Sequence, residues 1–115
     1  MQLDQQTLTK VIEDLSTQDK VRVPVDGVSF AGIDVTHIEF NLTYSKDSYR
    51  NRPRGFYLSV QPVEVESQFV RMIPMQGVRG FVSPAPVARL SKAARKAAHA
   101  NVGVETLTAY LEQVG

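Results

Sequence analysis

Between Tyr44 and Val60, four cations, Lys46, Arg50, Arg52 and Arg54, alternate with the rings of Tyr44, Tyr49, Phe56 and Tyr57. Guanidinium groups pair with phosphate oxygens through a planar fork, and aromatic rings stack on unpaired bases. A stretch of this composition is expected to contact nucleic acid. A second basic element follows at Arg89, Lys92, Lys96 and His99, spaced three, four and three residues apart with Arg95 beside them. On a helix that spacing forms one cationic ridge, opposite Val87, Leu90, Ala94 and Ala97. The expected contact set is therefore Lys46, Tyr49, Arg50, Arg52 and Arg54 from the loop, with Arg89, Lys92, Arg95 and Lys96 from the helix. Phe56, Leu58 and Val60 are expected in the core.

Other chemistries find less support. Cysteine is absent, which removes thiolate nucleophiles, disulfides and cysteine-zinc sites. Asp34, His37 and Glu39 have the residue types for metal binding or proton transfer, and a strand puts His37 and Glu39 on one side. Asp34 has the opposite parity, and the other histidine, His99, belongs to a distant helix, so a solvated strand face is the expectation there. The serines have no neighbouring His and Asp that would mark a nucleophile. Glycines form neither GxGxxG nor GxxxxGK[ST]; Gly77-Val78-Arg79-Gly80 lies between strands. No catalytic residue, metal ligand set or cofactor is assigned. Arg54-Gly55-Phe56 matches the opening of the ribonucleoprotein motif of RNA-recognition domains, but Tyr57, Leu58, Ser59 and Gln61 depart from its later positions. The order of strands and helices differs as well.

The 115 residues carry a net charge of only +1, unevenly distributed. Residues 1–45 hold three basic and seven acidic side chains, residues 46–96 ten basic and three acidic, and residues 97–115 two acidic. A central segment at net +7 suits phosphate or an acidic protein surface and argues against an acidic nucleic-acid mimic. No apolar run is long enough to span a membrane, and the first residues, MQLDQQTLTK, lack the charged start and apolar core of a signal peptide. A cytoplasmic protein without membrane contact is expected.

The elements that must position these groups follow from periodicity. Leu8, Val11, Ile12 and Leu15 mark an amphipathic helix over residues 4–17, capped by Asp4 or Thr7. A strand over 20–25 should turn at Asp26-Gly27 and return over 28–31, with Pro24 placing it at a sheet edge or at a bulge. Residues 34–45 alternate cleanly: Ile38, Phe40, Leu42 and Tyr44 point one way, His37, Glu39, Asn41 and Thr43 the other. Further strands are expected over 55–66, interrupted at Pro62, and over 68–75 and 78–82, the last two joined as a hairpin at Gln76-Gly77. Helices should occupy 87–100 and 104–114, the second through Leu107, Tyr110 and Leu111. Strands grouped centrally between terminal helices indicate one α+β domain, an antiparallel sheet of about five strands with one N-terminal and two C-terminal helices.

The segment Thr43-Tyr44-Ser45-Lys46, then RGFYLSVQPVE from Arg54, then RLSKAARKAA from Arg89 resembles small uncharacterised proteins of bacterial phages and conjugative elements, over residues 41–98. The resemblance implies an intracellular mobile-element setting and no particular activity. The leading expectation is a non-catalytic binding protein whose basic loop and basic helix jointly face nucleic acid. The alternative is an inhibitor or adaptor that sets the same surface against an acidic host protein, such as a nuclease or a defence component. The edge strand over 20–25 could pair two copies into a dimer, with Pro24 opposing it.

Overall fold

The computed structural model describes residues 2–30, 32–46, 53–73, 78–82 and 90–114. Helix α1 spans Gln5–Leu15, and Asp4 caps it, its Oδ1 accepting from the Thr7 amide at 2.7 Å. That bond chiefly holds the Asp4 carboxyl below its ordinary pKa. Leu8, Val11 and Leu15 form the buried stripe that the periodicity requires.

Strand β1 spans Lys20–Phe30 and β2 spans Ile33–Ser45, paired antiparallel. The expected turn at Asp26-Gly27 is a bulge instead. Pairing jumps from Pro24 with His37 to Val28 with Val35, so three residues of β1 oppose one of β2. Gly27 has φ +70°, and a positive backbone angle serves a bulge as well as a tight turn. The chain reverses later, between Phe30 and Ile33, where Gly32 takes φ +78°. Pro24 does lie on an edge strand.

Strand β3, Gly55–Glu66, pairs with β2 from Ser45 opposite Gly55 to His37 opposite Val63. On its other side β3 meets two short strands, β4 at Phe69–Met72 and β5 at Val78–Phe81, both antiparallel to it. β4 and β5 therefore do not form the expected hairpin with each other; they follow one another along the same side of β3. Only residues 61–62 of β3 separate the two ladders.

Pro62 sits in that gap, which explains why it does not interrupt β3. The Ile73 amide donates to the Pro62 carbonyl at 3.3 Å, so the missing proline donor also points toward Ile73. Gln61 Nε2 donates to the Ile73 carbonyl at 3.2 Å, supplying the bond that a backbone amide at 62 would have made.

The remaining helices are α2 at Lys92–His99 and α3 at Val104–Val114. α2 is shorter than its composition suggests. Ser91 is extended and its hydroxyl accepts from the Ala94 amide at 3.0 Å, so the helix begins after it. Ile38, Phe40 and Leu42 of β2 and Phe56, Leu58 and Val60 of β3 pack under Leu8, Val11 and Leu15 of α1 and Leu107, Leu111 and Val114 of α3, and all are buried. The architecture is α+β: a five-stranded antiparallel sheet with one N-terminal and two C-terminal helices over one face.

Tyr110 of α3 lies against Gly80 of β5, where any Cβ would overlap its hydroxyl. Burial there raises the Tyr110 pKa.

Candidate functional site

Arg95 holds α2 against the end of the sheet where β2 finishes and β3 begins. Its Nη1 donates to Asp19 Oδ1 at 2.7 Å and to the Leu42 carbonyl at 3.3 Å. Its Nη2 donates to the carbonyls of Leu15 at 2.8 Å and Gln18 at 2.9 Å. The guanidinium also lies 5.9 Å from the Phe56 ring centre. Carbonyls at and just beyond a helix C-terminus lack intrahelical donors, and a planar fork serves several at once. Arg95 thus fastens α2 both to the end of α1 and to the strand ends that carry Ser45 and Gly55.

This gives Arg95 a role other than the expected partner contact: its side chain is 20 % exposed and its two terminal nitrogens make four bonds within the protein. His99 turns the same way, with Nε2 2.7 Å from the Ile12 carbonyl. The cationic ridge consequently divides. Arg95 and His99 face α1 beside Ala94 and the buried Ala98, while Lys92 and Lys96 project to solvent with Ala97. A one-residue step around a helix is about 100°, enough to separate inward from outward. Lys46, exposed after β2, and Arg54, exposed before β3, stand at the roots of the loop. Tyr49, Arg50, Arg52 and Arg89 lie outside the described residues.

A second set of groups, on the sheet face that no helix among the described residues covers, escaped sequence reasoning. Strand register aligns Lys20, Asn41, Ser59 and Arg79 in one row across β1, β2, β3 and β5. The row beside it holds Thr43, Tyr57 and Phe81; on the other flank stand Arg22, Glu39 and Gln61. Arg22 and Phe81 apart, these residues line a groove of about 290 Å³ together with Met72. Tyr57 and Phe81 pack with ring centres 5.2 Å apart, and the Tyr57 hydroxyl donates to the Pro53 carbonyl at 2.8 Å.

Glu39 departs from the expected solvated face. It is 2 % exposed, held by Arg22 Nε at 3.1 Å with Lys20 Nζ at 3.6 Å. Burying a carboxylate is costly unless cations and donors compensate, and here two cations cover it from the edge strand. His37 does not join it: His37 Nδ1 is 2.8 Å from Thr36 Oγ1, which accepts from the Val65 amide at 2.7 Å. Among the described residues no three His, Asp or Glu side chains are grouped for a metal. By contrast Asn41, Thr43, Ser59 and Arg79 make no side-chain hydrogen bond or ion pair among the described residues and open onto the groove. Alternation along β2 marked Asn41 and Thr43 as wet, but register alone brought Arg79 and Lys20 level with them.

The far side of the sheet differs again. β4 is an outer strand with every residue exposed, including Phe69 at 79 %. No helix among the described residues is long and apolar enough to cross a membrane. No protein-family model, curated protein or solved structure matches the chain.

Proposed function

We propose that the protein is a non-catalytic, intracellular nucleic-acid-binding module that grips phosphates with its basic end. The observation carrying this reading is that Arg95 anchors α2 beside Leu42 and Phe56, so that Lys92 and Lys96 stand at the same end of the sheet as Lys46 and Arg54. Four cations gathered at one end raise the local potential for a polyanion more than the same charges dispersed would. The net +7 of residues 46–96 supports the same reading.

The test is a salt titration of binding to labelled oligonucleotides. If four to six phosphates are neutralised, log K falls with log salt at a slope of about −4 to −5 on duplex, less on single strands. Charge reversal at Lys92 and Lys96 together flattens that slope and leaves thermal stability nearly intact. Salt-independent binding, or none at low salt, overturns the reading.

The exposed outer strand β4, with Phe69, Val70 and Met72 in solvent, favours a second reading in which the chain binds a protein, as an inhibitor or adaptor of a mobile element does. Pull-down from nuclease-treated lysate separates the two: retained partners favour the protein reading, and lost ones favour nucleic acid.

A further inference from the structure

We infer that the uncovered face of the sheet is a seat for unpaired nucleotides, with a base stacked at Tyr57 and the flanking phosphates held by Arg79 and Lys20. The inference rests on the nucleic-acid reading and narrows it to single strands. It starts from what the groove contains. This face combines an aromatic pair, Tyr57 and Phe81, with a neighbouring row whose amide, hydroxyl and guanidinium make no bond within the described protein.

Geometry favours a strand over a small free anion. Rows two residues apart along a strand are separated by about 7 Å, and a row across four strands spans about 14 Å of backbone. A stacked base at the Tyr57 row then has the Asn41 and Ser59 side chains at its edge and a cation at either end of that row. An amide offers both a donor and an acceptor, which suits the mixed edge of a base better than it suits a phosphate. The groove, at about 290 Å³, lies at the small end of ligand sites, the scale of one nucleotide rather than a large cofactor.

Charge agrees. Lys20, Arg22 and Arg79 outnumber Glu39 on this face, and Glu39 is screened by the first two. A duplex fits poorly because its bases are already stacked and their faces hidden, whereas a single strand offers them. The basic end and this face meet at the start of β3, where Arg54 leads through Gly55 to Tyr57, so one strand can follow both.

Binding is measured by anisotropy with labelled DNA and RNA single strands of about 12 nucleotides and with the matching DNA duplex, at low salt. Single strands should bind at least about tenfold tighter than duplex, with the DNA and RNA arms telling which sugar is preferred. Arg79→Gln and Asn41→Ala should each weaken single-strand binding several-fold with melting temperature unchanged, since neither side chain is bonded internally. Tyr57→Leu should cost about tenfold or more. Amide NMR shifts on adding the single strand should centre on Asn41, Ser59 and Arg79. Equal binding of duplex and single strand, with shifts confined to Lys92, Lys96 and the loop roots, overturns this inference and leaves the basic-end reading standing. Failure of both nucleic acids to bind sinks both.

Discussion

The two faces of the sheet are built from the same strands and the same backbone bonds, yet they use their side chains in opposite ways. Under the helices, Phe40, Leu42, Phe56, Leu58 and Val60 are wholly buried and have nothing left to offer a ligand. One residue away along each strand, Asn41, Thr43, Tyr57 and Ser59 line a groove and, Tyr57 apart, leave their polar atoms unpaired within the described protein. Apolar packing is concentrated on one face and polar side chains on the other, a division that a period of two makes available to any sheet covered on one side. Glu39 shows the limit of that division: on the uncovered face it is buried nonetheless, because the edge-strand cations close over it.

The largest contrast should come from neighbouring residues. Phe40→Ala removes a buried ring from the centre of the core and should cost about 3–5 kcal/mol, whereas Asn41→Ala should change stability by no more than about 0.5 kcal/mol. Chemical denaturation of the two variants decides it, and a large loss at Asn41 would erase the distinction between the faces. Next comes Gly80→Ala, a methyl added on the core face. It must displace Tyr110 and should destabilise by about 1–3 kcal/mol. Pairing it with Tyr110→Ala should recover part of that loss, since the obstruction is then gone; a double-mutant cycle without coupling would contradict the packing described.

Arg95 tests whether one cation of the late helix belongs with the covered side. Arg95→Lys keeps the charge but loses the fork that serves four acceptors, so it should destabilise by about 1–2 kcal/mol, while Lys96→Gln leaves the melting temperature unchanged. A smaller loss than at Arg95 is expected at Glu39→Gln. Arg22 and Lys20 are partly exposed and water screens them, so the stability loss should be about 1 kcal/mol. The lost negative charge should meanwhile strengthen oligonucleotide binding at low salt. Weaker binding by Glu39→Gln would mean that the carboxylate positions the cations rather than opposing the ligand.

Much of the architecture was legible in order along the chain. The α1 stripe and its Asp4 cap, the alternation in β2, the edge position of Pro24 and the α3 stripe are all consequences of local spacing, and local spacing is what a sequence displays directly. Element identity fared better than connection. Asp26-Gly27 has the chemistry of a hairpin turn, but the same positive φ fits a bulge, and only pairing with β2 distinguishes them. Pro62 reads as a strand breaker until Gln61 is seen to replace its missing donor.

The site divides along the same line. The sequence by itself determined that positive charge and aromatic rings concentrate in the centre of the chain, and that one face of β2 is polar, because composition and parity depend on nothing outside the segment. Tertiary structure alone decided which cations remain available. Arg95 and Lys96 are adjacent and chemically alike, yet packing against α1 turns one into an internal clasp and leaves the other in solvent. The same holds for the row of Lys20, Asn41, Ser59 and Arg79, whose members come from four strands and meet only through register. Register is set by the mutual fit of whole faces against a core, a long-range condition that no short window of residues contains.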